Sequence, residues 1–126
     1  NGYQTMTSYN LKVTSIFPLS QNKPQQVVVL CHGYGGDGKD ISILATNWQR
    51  FLPEAAFLCP NAPEICTDNP QGYQWFDLTS DKEEIVLEKS LVAEEKLNIF
   101  LEQVFDNLHL EPANLALVGV SPPAAN

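Results

Sequence analysis

The chain has 126 residues, of which 44% are hydrophobic and 17% are charged. This composition excludes a disordered chain, because it holds enough apolar material for one core or part of one. The formal net charge is -8 and the seven Lys and Arg are scattered, so we expect no nucleic acid partner. Apolar runs such as residues 27–31 fall far short of the roughly 20 residues of a membrane-spanning helix, and no signal-peptide pattern opens the chain. We therefore expect a cytoplasmic protein that is not transmembrane.

The three cysteines, Cys31, Cys59 and Cys66, are odd in number, and two of them lie in apolar, strand-like runs. This pattern favours buried thiols in a reducing compartment over a disulfide framework or a zinc site. Met6 is a plausible natural start, so we interpret residues 1–5 as leader residues or as residues foreign to the protein. Residues 6–126 then form the domain.

Four apolar segments predict β-strands, namely residues 11–16, 27–31, 55–59 and 115–120. The run at 27–31 is rich in β-branched residues and has no polar alternation. That pattern is typical of a strand that is covered on both faces, as in a mostly parallel sheet.

Two further segments predict helices. Residues 40–52 carry apolar side chains at helical spacing, and Asp40 can cap the start. A longer helix is predicted from Ser80 and Glu83, which have the spacing of a capping box, to Leu108.

Residues 61–74 lie between a strand and the long helix and contain two prolines and a glycine. They predict a long irregular loop, and loops of this length are often functional. The complete order is strand, strand, helix, strand, loop, helix, strand. This alternation predicts an α/β fold with crossover helices.

Two strands end in glycine motifs that are typical of serine hydrolases. The last strand leads into residues 119–121, which read Gly-Val-Ser, as in the nucleophile elbow G-x-S-x-G. An earlier strand leads into residues 32–36, which read His-Gly-Tyr-Gly-Gly, at the position of the loop that supplies one oxyanion-hole amide. Glycines there allow backbone N–H groups to approach a developing negative charge.

Two more motifs lie between these segments. Residues 60–64 read Pro-Asn-Ala-Pro-Glu, and residues 72–77 read Gly-Tyr-Gln-Trp-Phe-Asp. With all four motifs in this order, residues 11–121 resemble the phospholipase/carboxylesterase family of serine α/β-hydrolases, which includes the acyl-protein thioesterases. The resemblance implies the α/β-hydrolase fold and hydrolysis of carboxylic esters, lysophospholipids or thioesters through an acyl-enzyme, with no cofactor and no metal.

The resemblance also implies roles for individual residues. The nucleophile position is occupied by Ser121, and the amide of Tyr34 occupies an oxyanion-donor position within the loop. The site residues implied in this way are Ser121, the oxyanion loop of Gly33, Tyr34 and Gly35, and Trp75 and Phe76 beside the acyl-binding groove.

The sequence departs from the family directly after the serine. The family pattern is G-F-S-Q-G, whereas residues 119–123 read Gly-Val-Ser-Pro-Pro. Pro122 has no N–H, so the second oxyanion donor, worth about 3–4 kcal/mol in the transition state, is missing. The acid and the histidine should follow the serine, but none of the five residues after Ser121 is Asp, Glu or His. We therefore expect an inactive N-terminal half, truncated after the elbow strand and prone to self-association through its uncovered sheet edge.

Simpler interpretations stay open. Ser121 is also consistent with a turn serine before two prolines, and Trp75 and Phe76 with ordinary core or surface aromatics. The two histidines, His32 and His109, are expected to be structural. The alternative function is a noncatalytic hydrolase-like module that binds a partner or a lipid through the loop before the long helix.

Overall fold

The structure is a computed structural model that describes residues 8–119. The elements in chain order are β1 (Val13–Ile16), β2 (Gln26–Cys31), α1 (Gly38–Trp48), β3 (Ala55–Pro60), β4 (Glu64–Ile65), β5 (Tyr73–Gln74), α2 (Glu83–Leu108), a short 3-10 helix (Pro112–Asn114) and β6 (Leu115–Gly119). The main sheet has the strand order β1-β3-β2-β6, and β4 and β5 form a separate two-stranded hairpin. Strand β2 runs parallel to β3 and β6, whereas β1 is antiparallel to β3. The predicted α/β class and order of elements are confirmed.

The two central strands form the interior of the sheet. Every residue of β3 is buried, and so is all of β2 after Gln26. Alternate residues of β2 point to opposite faces of the sheet, so Val28 packs in a different cluster from Val27 and Val29. The predicted covering of residues 27–31 on both faces is confirmed.

One helix covers each face of the sheet. Helix α1 contributes Ile41 and Ala45 to the cluster that contains Val28 and Phe57. Helix α2 contributes Phe100 and Val104 to the opposite cluster. The result is a three-layer arrangement of helix, sheet and helix.

The helix boundaries differ from the predicted ones. Helix α1 begins at Gly38 and is capped by Asp37, whose carboxylate accepts from the Asp40 N–H at 2.7 Å. Asp40 is therefore inside the helix and is not its cap. Helix α2 begins at Glu83 without a side-chain cap, because the Ser80 hydroxyl accepts from the Lys82 N–H at 3.2 Å, outside the helix. The predicted capping box is wrong.

The segment of residues 61–74, predicted as an irregular loop, contains a short β-hairpin. Glu64 pairs with Gln74, and Ile65 with Tyr73, to form the β4–β5 hairpin. The buried Gln74 side chain strengthens it by accepting from the Thr67 N–H and donating to the Glu64 carboxylate, both at 2.9 Å. The segment is thus a fixed structure beside the strand ends.

All three cysteines are buried free thiols, as predicted. Burial raises the pKa of Cys31 to about 11 and that of Cys59 to about 12. These two thiols belong to different core clusters on opposite faces of the sheet. Within residues 8–119 no helix is both long and apolar enough to cross a membrane.

Candidate active site

The candidate active site lies where two parallel strands end side by side. Cys31 at the end of β2 is paired in register with Gly119 at the end of β6. The glycine loop at residues 32–36 follows the first of these strands, and Ser121 comes two residues after the second. The carboxyl ends of parallel strands are the usual position of ligands in α/β sheets. Ser121 and the two prolines after it lie outside the described residues, so the nucleophile remains a prediction.

The glycine loop is a tight turn held by backbone hydrogen bonds. The Gly36 N–H donates to the Gly33 carbonyl at 3.0 Å, and Gly35 has a φ of 83°, a left-handed value that favours glycine. The Gly35 N–H donates to the Tyr73 carbonyl at 2.9 Å. The Tyr34 N–H, in contrast, donates to no atom within residues 8–119. Of these three amides, that of Tyr34 alone has no acceptor among residues 8–119.

His32 is a buried structural histidine. Its Nε2 accepts from the Ala62 N–H at 2.9 Å, and its Nδ1 lies 2.7 Å from the Gly33 carbonyl oxygen. Since a backbone N–H can only donate, Nδ1 carries the proton and donates to Gly33. Burial lowers the pKa of His32 below its ordinary 6.5, which keeps the ring neutral. The expected structural role of His32 matches this geometry.

Trp75 braces the same loop from the other side. Its Nε1 donates to the His32 carbonyl at 3.0 Å, and the two rings stack with centroids 5.9 Å apart. Trp75 also packs against the core cluster of α2. The glycine loop is therefore connected to the sheet, to the segment after β3 and to the α2 layer.

The β4–β5 hairpin holds the glycine loop through several polar contacts. The Tyr73 N–H donates to the Gly36 carbonyl at 2.8 Å, and the Asn69 side-chain amide donates to the Gly35 carbonyl at 2.9 Å. The Tyr34 hydroxyl donates to the Asp68 carboxylate at 2.6 Å, and this hydrogen bond raises the pKa of Tyr34 above its ordinary 10.0. The sequence analysis missed Asp68, Asn69 and Tyr73. Only Tyr73 had a signal, as part of the motif at residues 72–77.

Gly72 is required by a close approach between the hairpin and the loop. A Cβ atom at this position would lie 2.0 Å from the Gly35 carbonyl oxygen and 2.9 Å from the Asn69 side-chain amide. Both distances are too short for non-bonded atoms, so a larger residue would push the two segments apart. This contact explains why the motif at residues 72–77 begins with glycine.

Trp75 and Phe76, the predicted groove residues, line a cavity of about 140 Å³ against α2. Its lining is mixed, with an Asp77–Lys89 ion pair at 2.6 Å beside apolar side chains. The Lys89 hydrogen bond holds the pKa of Asp77 below its ordinary 3.8. The structure thus brings Trp75 and Phe76 together, and Trp75 also contacts the glycine loop. The other residues that line the cavity are Glu64, Glu88, Val92, Ala93 and Lys96.

The second histidine lies away from the glycine loop. His109 is exposed at the carboxyl end of α2, a few residues before β6 begins, whereas the glycine loop lies beside the other end of β6. In the part of the chain that the structure describes, no group of three His, Cys, Asp or Glu side chains could hold a metal ion.

This arrangement, a central parallel sheet between helices with a glycine loop at the end of β2, defines an α/β-hydrolase fold. The family model for phospholipases and carboxylesterases matches residues 15–124, and the chain belongs to that family.

The chain is also similar to solved structures. Esterase PE8 is 37% identical with a TM-score of 0.79, and the match covers 86% of this chain and 51% of that one. A carboxylesterase from Mesorhizobium loti is 17% identical with a TM-score of 0.63, over 90% of this chain and 50% of that one, and shows the same fold. Acyl-protein thioesterase 2 from Zea mays is 21% identical over 87% of this chain and 45% of that one, with a TM-score of 0.39. The chain spans about half the length of the solved structures it matches.

Proposed function

We propose that this chain carries the nucleophile and one oxyanion donor of a serine ester hydrolase that works through an acyl-enzyme. The observation that carries the proposal is the free Tyr34 amide at the end of β2, beside the strand that leads to Ser121. In this reaction the Ser121 hydroxyl attacks the ester carbonyl, and the Tyr34 N–H stabilises the negative oxygen that forms.

The general base of this reaction must come from a residue other than the two histidines of the chain. Both ring nitrogens of His32 are already engaged, one as donor and one as acceptor. His109 lies at the wrong end of β6. We therefore propose that the 126-residue chain does not turn over substrate by itself, since Pro122 also lacks the second donor N–H.

We propose that the substrates are carboxylic esters, lysophospholipids or thioesters. The match to the phospholipase/carboxylesterase family model and the similarity to an esterase support ester substrates. We propose that Trp75 and Phe76, which line the cavity beside α2, lie next to the acyl group.

A chimera tests the proposal directly. Residues 1–121 are joined to the part of esterase PE8 that lies beyond the matched half, which removes both prolines. We expect hydrolysis of p-nitrophenyl acetate and butyrate that is lost in Ser121→Ala and retained in Ser90→Ala, a control in α2. Activity that survives Ser121→Ala would overturn the proposal that Ser121 is the nucleophile. Ser121-dependent turnover by the 126-residue chain would overturn the proposal that this chain is inactive by itself.

The second candidate function is a noncatalytic module that binds a ligand through residues 61–76. The observation that favours it is the order of this segment, in which the hairpin and Trp75 are fixed by hydrogen bonds. It predicts saturable binding of short-chain acids or esters by the monodisperse 126-residue chain, with loss of binding in Trp75→Ala. A folded chain that binds none of them would exclude it.

We also propose a cytoplasmic location and self-association of the 126-residue chain. The location is supported by three buried, unpaired thiols, which persist in a reducing compartment. Self-association is supported by β6, in which Ala116, Leu117 and Gly119 are exposed and no residue is charged. Fractionation of cells that express the protein tests the location, and light scattering tests the association.

A further inference from the structure

We propose that the Tyr34–Asp68 hydrogen bond orients the Tyr34 amide, which makes Asp68 a positioning residue for ester hydrolysis. The inference rests on the proposed function. The inference extends the proposed function, because it assigns the orientation of the oxyanion donor to a residue outside the glycine loop. The hydroxyl of Tyr34 and the carboxylate of Asp68 are 2.6 Å apart, and the residues are 34 positions apart in the chain.

The Tyr34 amide needs an external constraint. Tyr34 stands between Gly33 and Gly35, and glycine restricts the backbone least of all residues. The neighbouring amides of Gly35 and Gly36 are held by hydrogen bonds to Tyr73 and Gly33. The Tyr34 N–H cannot be held in this way, because a donor to the substrate has to stay free. The Gly33 carbonyl of the same peptide accepts from the Gly36 N–H at 3.0 Å and from His32 Nδ1 at 2.7 Å, which holds it within the loop. The Tyr34 side chain adds the contact that fixes this peptide relative to the hairpin.

Asp68 is a suitable anchor because its own turn is closed by hydrogen bonds. The Cys66 N–H donates to the Gly72 carbonyl, and the Gly72 N–H donates to the Asn69 carbonyl, both at 2.9 Å. The Asn69 side chain in turn donates to the Gly35 carbonyl at 2.9 Å. Asp68 and the loop therefore belong to one hydrogen-bonded unit, and movement of the turn is transmitted to Tyr34.

The role of Asp68 is geometric, since its negative charge opposes the formation of a negative oxygen nearby. An Asn side chain retains an acceptor oxygen for the Tyr34 hydroxyl and removes this charge. The two effects can therefore be separated by substitution. Asp68→Asn should preserve the function of the residue, whereas Asp68→Ala and Tyr34→Phe should both remove it.

Amide hydrogen exchange on the 126-residue chain tests the positioning without any need for activity. We expect Tyr34→Phe and Asp68→Ala to accelerate exchange of the Gly35 and Gly36 amides about fivefold to tenfold, as expected for loss of one hydrogen bond. Asp68→Asn should exchange like the wild type. The matched controls are Tyr9→Phe, which removes a hydroxyl far from the loop, and Asp81→Ala, which removes an exposed carboxylate. Equal exchange rates in Asp68→Ala and the wild type would overturn the inference.

Kinetics of the chimera test the effect on catalysis. Displacement of an oxyanion donor acts on the transition state, so we expect kcat to fall about tenfold or more in Asp68→Ala, with little change in KM. Asp68→Asn should restore kcat, and the Tyr34→Phe/Asp68→Ala double variant should lose no more than either single variant. An additive double variant, or a failure of Asp68→Asn to rescue, would refute positioning. Activity that survives Ser121→Ala would refute the proposed function alone, because the exchange result does not depend on it.

Discussion

Strands β2 and β6 are neighbours with similar apolar sequences, yet their environments are opposite. Val27, Val29 and Leu30 of β2 are fully buried, whereas Leu117 of β6 is 48% exposed. Strand β2 pairs with β3 on one side and with β6 on the other, and a helix covers each face. Strand β6 pairs with β2 alone among the described residues. The comparison teaches that an apolar sequence predicts a strand, whereas the number of strands and helices that pack against the strand decides its burial.

The largest expected effect comes from the interior of the sheet. Phe57 in β3 is fully buried, so Phe57→Ala should lower the free energy of unfolding by about 3–5 kcal/mol through the lost burial and the cavity left behind. Leu117→Ala at the exposed edge should cost less than about 1 kcal/mol. Urea denaturation of both variants measures the contrast. Similar losses of unfolding free energy in the two variants would contradict the difference in burial between the interior of the sheet and β6.

The second effect concerns the contact between the hairpin and the glycine loop. Gly72→Ala places a Cβ 2.0 Å from the Gly35 carbonyl oxygen, and we expect it to destabilise the protein by about 1–3 kcal/mol. Gly119→Ala at the end of β6 is the matched control, because no atom lies within 4 Å of its Cβ position among the described residues. It should change stability by no more than about 1 kcal/mol. Thermal unfolding of the two variants should therefore differ clearly, and equal transitions would contradict the close packing.

A third effect should appear as pH dependence. Because burial lowers the pKa of folded His32 below 6.5, the unfolded chain takes up a proton that the folded chain resists. Stability should therefore be constant above the unfolded pKa and fall as the pH decreases below about 6.5. His32→Gln should flatten the change between pH 7 and 5.5, while His109→Gln serves as the control for loss of an exposed imidazole. A slope that is unchanged in His32→Gln would refute this assignment.

The smallest effect on stability, and the clearest on association, is expected at the edge strand. Leu117→Lys places a charge on an exposed, uncharged strand, so it should alter the free energy of unfolding by about 0.5 kcal/mol or less. It should also shift the 126-residue chain toward the monomer in light scattering. The exposed Leu87→Lys on α2 is the matched control. Equal effects of both variants would show that association does not use β6.

The fold could be predicted well because its signals are local. Residues 27–31 form a buried strand because a continuous apolar run has few other solutions, and Cys31 and Cys59 are buried for the same reason. The ends of the helices were less predictable. Asp37 and Asp40 are both good caps by residue type, and only the turn after the glycine loop selects Asp37.

The candidate site could be predicted only in part. The motif at residues 32–36 identified the loop, but it could not show that the Gly35 amide donates to Tyr73 or that the Tyr34 amide has no acceptor among residues 8–119. Asp68 has no motif of its own, since its partner lies 34 residues away. Contacts between such distant residues depend on how the β4–β5 hairpin packs against the loop.

The sequence by itself determined the type and order of the main elements, the buried thiols and the family to which the chain belongs. These properties follow from short-range periodicity, turn residues and motifs, each of which is contained in a few consecutive positions. Only the tertiary structure decided the neutral tautomer of His32 and the hydrogen bond between Tyr34 and Asp68. Each of these depends on which distant segments become neighbours, because hydrogen-bond partners and burial are properties of the packed chain.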